Sequence, residues 1–459
     1  MLFSSVLFLV WFLPIVYAVC FSVPKACRNA VLLAASFLFY GWGRPTWLIL
    51  ISVEILAGYL CGLAMERYEK KRKAILTAGI VFTLVPLFVF KYYNFFASGI
   101  EQLSGLHLVI SSIVLPAGIS FYTFQIISYL ADVYRNDAPV QHSLVKFALY
   151  VAMFFQLIAG PIVRYSLIDT QLDSRTASLT LAQQGSARFL CGLFKKVLIA
   201  NPLSALSVGI RSLESPSVVL FWINAIAIML YVYYDFSGYS DMAIGLGKIA
   251  GFTLPENFNY PFVAGSFTNF WRRWHMTLTG WFRDYVYIPL GGNRKGKRRQ
   301  IFNLLVVWLF TGLWHGAAWN FVLWGLLFFV LISAEKFIIP DRVQKSWLYH
   351  AFTLVVLLLS FLLFYDSSLA QFGADIAFMF GFQSVPVWNV QTGYILRSSI
   401  VLIAAAAIGA TPIAHRLFEW MKSKTIIRWL LPFGALCGLL LCLAMLSAGT
   451  YNPFLYFQF

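Results

Sequence analysis

The stretch Ile301–Ile332 reads IFNLLVVWLFTGLWHGAAWNFVLWGLLFFVLI. Two apolar runs, 301–314 and 318–334, are joined across a short break that holds Gly312, Trp314, His315 and Gly316. A helix needs about 20 apolar residues to cross the hydrocarbon of a bilayer. The two runs therefore read as a membrane-embedded helix pair with an imidazole at the break. Interrupted backbone at membrane depth survives only inside protein or along a cavity. The stretch thus predicts an all-α, polytopic membrane protein that encloses a polar interior.

The rest of the chain agrees. It has 459 residues, 60% hydrophobic, 18% aromatic and 11% charged, with mean hydropathy +0.76. A soluble globule carries about 25% charged residues, so this chain cannot cover itself with polar surface. The net charge of +16 reads as Lys and Arg gathered in cytoplasmic loops. No nucleic-acid signature accompanies it. Cys20, Cys27, Cys61, Cys191, Cys437 and Cys442 form no CxxC pair and lie near no histidine at ligand spacing. They read as small apolar core residues, and no metal site is expected.

Spans are expected at 2–21, 29–42 with 47–65, 74–96, 108–131, 145–163, 217–236, 301–314 with 318–334, 347–365, 398–414 and 429–449. Shorter apolar pieces lie near 186–210, 239–252 and 368–382. This amounts to roughly ten to thirteen membrane-embedded helices, some re-entrant or interfacial. Leu2–Phe21 has no basic leader and no small-x-small cleavage site, and is taken as the first span rather than a signal peptide. The basic runs Glu66–Lys73, Asn293–Arg299 and Met421–Arg428 are mutually consistent as cytoplasmic loops, which places both termini outside. Pro116-Ala117-Gly118, Gly160-Pro161, the Gly245/Gly247/Gly251 cluster and 313–318 are expected to interrupt helices. No repeat or long linker is visible, so 1–459 reads as a single domain.

Polar groups at membrane depth are costly and point to function. Of six histidines, His107, His142 and His350 fall at loop or span edges, and His415 ends a span beside Arg416. His275 and His315 remain. His275 lies in NFWRRWHMTLTGWFRDYVYIPLGGNR (Asn269–Arg294). Read as one helix from Thr268, this segment puts Trp271, Trp274, Leu278, Trp281 and Phe282 on one face. Its arginines suit an interfacial position, and His275 sits close to the aromatic face. At His315, Gly312 and Gly316 leave room for a ligand or for close backbone approach. Trp314 and Trp319 would supply flat walls. A neutral imidazole there can accept a proton from a hydroxyl; it can equally be a packing residue. Asp235, Ser237 and Asp241 would line a cavity or pair with an arginine such as Arg164 or Arg188. The Asn293–Arg299 run reads as a positive-inside anchor in preference to a site for donor phosphates.

WRRWHMTLTGWFRDYVYIPLGGNR followed by FTGLWHGAAWNFVLWG resembles the membrane-bound O-acyltransferase (MBOAT) family, in its branch of alginate O-acetyltransferase membrane subunits. The resemblance extends through LPAGISFYTFQIISYLADVYR (Leu115–Arg135), FFQLIAGPIVR (Phe154–Arg164), YYDFSGYSDMAIGLGKIAGFTLPENFNYPF (Tyr233–Phe262) and the closing NPFLYFQF. It covers most of 1–335 and the tail, with the motif-bearing core at about 108–335.

The resemblance implies a bacterial cytoplasmic-membrane enzyme with a tunnel across the bilayer. A thioester donor, acetyl-CoA, would enter from the cytoplasm with no permanently bound cofactor, and a polysaccharide would be O-acetylated outside. It implies that His315 is catalytic, as general base or as transient acyl carrier. His275 would be the second active-site residue, polarising the carbonyl or orienting the acceptor. Asn269, Tyr285, Trp314, Trp319 and Asp235 would support substrate. An extracytoplasmic SGNH-type partner is also implied. D-alanyl transfer to teichoic acid is the alternative within enzymes. A transporter or flippase and a scaffold for another transferase are the alternatives outside this chemistry.

Overall fold

The computed structural model describes residues 1–104, 113–449 and 452–455. These form helices, turns and loops, with no strand among them. His107, the first residues of the expected 108–131 span and the last four residues of the chain lie outside the described part. Among the described residues, eight helices are long and apolar enough to cross a membrane: Thr46–Arg67, Glu69–Glu101, Leu179–Arg211, Val218–Ile249, Trp319–Phe337, Trp347–Tyr365, Val390–Gly409 and Thr425–Ser447. Phe8–Ser22 and Leu369–Met379 are shorter apolar helices.

Most of the expected spans recur as helices, and three expectations fail for physical reasons. The 186–210 piece is part of a full 33-residue span, Leu179–Arg211, whose polar residues leave it a mean hydropathy of 1.4. The 145–163 segment is not one span. It breaks after Ala152 into the helices Leu144–Ala152 and Phe154–Leu157 and then a loop at Gly160-Pro161. The Gly245/Gly247 cluster does not interrupt its helix, which continues to Ile249. A Cβ on Gly245 would lie 2.6 Å from the Gly185 carbonyl oxygen. These glycines let two helices touch backbone to backbone.

The chain divides into two compact units. The first comprises residues 1–189, 240–256 and 280–286. Phe8, Phe12, Phe39 and Phe154 pack as an aromatic cluster, and the Ile119–Arg135 helix is buried from Ile119 to Val133. Several of its charged side chains are paired. Arg188 joins Asp241 at 2.6 Å and Glu256 at 2.6 Å, and Arg164 pairs with Asp284.

The second unit comprises residues 190–239, 257–279 and 287–459. Arg211 bridges Asp366 and Asp375 here. Glu335 receives the backbone N–H groups of Phe267 (2.6 Å) and Thr268 (2.7 Å) and the Tyr349 hydroxyl (3.0 Å). That carboxylate ties the start of the Phe267–Trp271 helix to the Trp319–Phe337 helix. Both candidate histidines belong to this unit.

Candidate active site

His315 is the last residue of the Gly296–His315 helix. The chain runs through Gly316, Ala317 and Ala318 and re-enters helix at Trp319. The two helices form a tight hairpin. A Cβ on Gly312 would lie 2.3 Å from the Phe321 carbonyl oxygen, and one on Gly325 would lie 2.4 Å from that of Trp308. Of the two uses the sequence left open for Gly312, close backbone approach is the one realised. Asn320 then donates to the Asp366 carbonyl at 2.9 Å, fixing the hairpin against the end of the Trp347–Tyr365 helix.

His275 arrives by a different route. The segment expected to be one helix from Thr268 is two, Phe267–Trp271 and Met276–Phe282, with a turn between them. His275 sits in that turn with φ +43°, a conformation that non-glycine residues rarely adopt. Asn257 holds the turn. Its backbone carbonyl accepts from Met276 N–H at 3.0 Å. Its side-chain oxygen accepts from Thr277 N–H at 3.3 Å and from the Thr277 hydroxyl at 2.9 Å. The backbone N–H of Asn259 also donates to the Arg273 carbonyl at 2.9 Å. The expected aromatic face does exist, but Trp271, Trp274, Leu278, Trp281 and Phe282 are all buried in protein, so the segment is an internal element rather than an interfacial one.

Among the described residues, His275 and His315 are the two buried histidines, 0% and 5% exposed. Their ring centroids lie 6.5 Å apart. That is too far for a direct hydrogen bond, and it leaves space for one bridging oxygen. Trp314 sits beside both, 4.9 Å from the His315 ring and 5.7 Å from that of His275. Trp324 and Phe364 face His315 edge-on at 5.1 and 5.0 Å, and Phe236 faces His275 at 4.7 Å. A cavity opens at His315, and its other lining residues are apolar, among them Phe236, Trp324 and Leu455. Burial in this setting pushes the His275 imidazole down to about 3 from its ordinary 6.5, because no charged group offsets the lost hydration of the cation. An aromatic cavity lined by one imidazole, with a second buried imidazole 6.5 Å from it, suits proton transfer to and from a bound reactant.

The remaining candidates fall at different places. Trp314 is part of the cluster. Trp319 is 62% exposed, and the Trp324 indole, five residues on, faces the His315 ring edge-on. Asn269 accepts from Arg273 Nε at 2.9 Å. Tyr285 belongs to the first unit, where its hydroxyl donates to Asp132 at 2.7 Å. Asp235 is fully buried, and its partner is Lys196, at 2.5 Å. Of the arginines considered for the acidic group, Arg188 goes to Asp241 and Arg164 to Asp284. The other Asp235 oxygen accepts the backbone N–H of Leu455 at 3.0 Å. Asn257, Trp324, Phe364 and Leu455 were not singled out from sequence. Only proximity in space marks them, since each is an ordinary residue type in its local context. Among the described residues no three His, Cys, Asp or Glu side chains cluster as a metal site.

The sequence model of the MBOAT, membrane-bound O-acyltransferase family, matches residues 32–357. The chain is 35% identical to a protein of Pseudomonas putida named "probable alginate O-acetylase", over the full length of both. It is 33% identical to the peptidoglycan O-acetyltransferase of Helicobacter pylori, over 73% of this chain and 70% of that one. It is 25% identical to the teichoic acid D-alanyltransferase of Bacillus subtilis, over 64% of this chain and 75% of the relative.

Proposed function

The chain belongs to the membrane-bound O-acyltransferase family and is a multi-pass membrane acyltransferase; from that premise we propose that it transfers an acetyl group from a cytoplasmic thioester, acetyl-CoA, towards a hydroxyl of an extracytoplasmic polysaccharide. The observation that carries the proposal is the buried pair His275–His315, 6.5 Å apart, with His315 lining an aromatic cavity. His315 takes the hydroxyl proton as the oxygen attacks the thioester carbonyl. The C–S bond breaks, and the imidazolium returns the proton to the departing thiolate, so ester and free thiol leave with no net proton change. The aromatic walls exclude water, which would otherwise hydrolyse the thioester. An acyl-imidazole on His315 would reach the same products in two steps.

The acetyl group and the polysaccharide acceptor are favoured by the full-length similarity to an alginate O-acetylase and the long match to a peptidoglycan O-acetyltransferase. The D-alanyltransferase similarity is lower and shorter. The same reading places the protein in a bacterial cytoplasmic membrane and gives it an extracytoplasmic SGNH-type partner that completes transfer to the polymer.

The test compares O-acetyl content of the cell's polysaccharides between wild type and His315→Ala at matched membrane abundance. Loss of at least about 100-fold is expected. Unchanged acetylation would overturn the catalytic role of His315, and loss of D-alanyl esters in place of acetyl esters would move the assignment to teichoic acid.

A further inference from the structure

Asn257 does more than hold the turn at His275. Its side-chain oxygen lies 3.1 Å from His275 Nδ1. The identity of that oxygen is set independently of the histidine. The same atom receives the backbone N–H of Thr277, which can only donate, and the Thr277 hydroxyl. An amide flip would turn an NH2 group towards that N–H, so the acceptor orientation stands. His275 Nδ1 must therefore carry the proton it shares with Asn257. A neutral imidazole with hydrogen on Nδ1 has a bare lone pair on Nε2. That Nε2 atom is buried and has no hydrogen-bond partner among the described residues. A buried polar atom left in that state costs about 1–3 kcal/mol, and it sits in a residue whose backbone is itself held at φ +43°. Two local costs concentrated on one imidazole mark a functional position.

We propose that Asn257 is a positioning residue that fixes His275 as the Nδ1–H tautomer, so that Nε2 meets the substrate only as a hydrogen-bond acceptor. The group opposite Nε2 then carries a hydrogen. It is a hydroxyl of the incoming acceptor, or a water bound with it, and not the thioester carbonyl. Of the two roles open to His275, orienting the acceptor is therefore kept and polarising the carbonyl is removed. The division of labour follows: His315 takes the proton of the attacking hydroxyl, and His275 aligns the acceptor beside it through a neighbouring protic group. Thr277 is the outer member of the arrangement, since its two donors set which way the Asn257 amide faces.

The identity of the ligand rests on the acyltransferase reading above; the tautomer does not. The experiment is nitrogen-15 and proton NMR of the detergent-solubilised full chain with labelled histidine. It has six histidines, and His275 is assigned by the signals lost in His275→Gln. In the wild type the proton is expected on Nδ1, with the Nε2 signal that of an unprotonated ring nitrogen. In Asn257→Leu the ring reverts to the Nε2–H form that free histidine prefers, and kcat for acyl transfer falls by about 100-fold with the donor KM unchanged. Thr277→Val, which keeps shape and removes one donor to the amide, gives a mixture of tautomers and a smaller kcat loss. It serves alone if Asn257→Leu does not fold. A proton on Nε2 in the wild type, or either variant changing kcat with the tautomer intact, overturns the proposal. If the wild type shows the Nδ1–H form and yet transfers no acetyl group from acetyl-CoA, the functional reading fails and the tautomer lock stands.

Discussion

Two buried polar devices in the second unit behave differently under substitution. Lys196 and Asp235 are 1% and 0% exposed. Removing the lysine alone, as in Lys196→Met, strands a buried carboxylate and should cost about 3–5 kcal/mol. The double change Lys196→Met/Asp235→Leu should recover most of that loss, because neither charge remains to be desolvated. Thermal unfolding in detergent checks both, and a double variant no better than the single one would mean that the pair is not the source of the cost. His275 carries the opposite sign of problem. Its neutral form persists in the folded protein down to about pH 3, whereas in the unfolded chain it gains a proton near its ordinary value of about 6.5. Between those values the unfolded state binds the extra proton, so stability falls as pH drops below about 6.5. Replacing His275 with Gln should flatten that part of the stability–pH curve, measured as the unfolding midpoint at pH 7 and pH 4.5. His275 and His315 stand out in the sequence by their type and apolar surroundings, and both are buried. The lysine partner of Asp235 was not, because Lys196 lies 39 residues away and in sequence reads as part of an ordinary Lys-Lys pair.

At the scale of elements, the hairpin that carries His315 depends on two glycines facing each other. Gly325→Val would push a branched side chain into the Trp308 carbonyl, 2.4 Å from the new Cβ. Neither side is a flexible chain end, so the helices must part. The expected cost is about 1–3 kcal/mol or more from overpacking, and the shift carries His315 with it. A displacement of about 1 Å at reacting groups can cost 100-fold in rate, so activity should fall further than stability. Gly373→Ala makes the control. It lies in the Leu369–Met379 helix with nothing within 4 Å of its Cβ position, and it should leave both unchanged. If Gly325→Val keeps full activity, the glycine contact does not position the imidazole. The broken apolar stretch at 301–332 announced this hairpin in the sequence, down to the break beside His315. The break at Arg272–His275 gave no such notice. No glycine or proline stands there, and helical periodicity continues across it. Asn257, 18 residues upstream of His275, holds the turn, and windowed periodicity does not register a partner at that distance.

For the whole molecule, hydropathy predicted an all-helical membrane chain, because lipid permits few other ways to satisfy a backbone. It misread segments such as Leu179–Arg211, where burial in protein lets polar residues replace apolar ones. It also gave no reason to join the end of the chain to the candidate site. Asn452 to Leu455 nonetheless return to the second unit. Asn201 donates to Asn452 at 3.1 Å, Lys196 donates to the Pro453 carbonyl, and the Leu455 N–H donates to Asp235. The Phe454 ring packs 4.6 Å from that of Tyr239, and Leu455 lines the cavity at His315, 140 residues earlier in the chain. Three polar anchors and one packed ring over four residues make this segment part of the cavity wall, so the size of residue 455 should set how much room a reactant has. Leu455→Trp should fill the cavity and reduce acyl transfer by at least about 10-fold. Leu455→Ala should leave acetyl transfer within a few-fold and extend acceptance to longer acyl thioesters, since each added methylene in an apolar pocket is worth about 1–3 kcal/mol of discrimination. The measurement is the ratio of kcat/KM for acetyl-CoA and a four-carbon acyl-CoA in the three proteins. An unchanged ratio in both variants would mean that the end of the chain closes the fold without shaping the site.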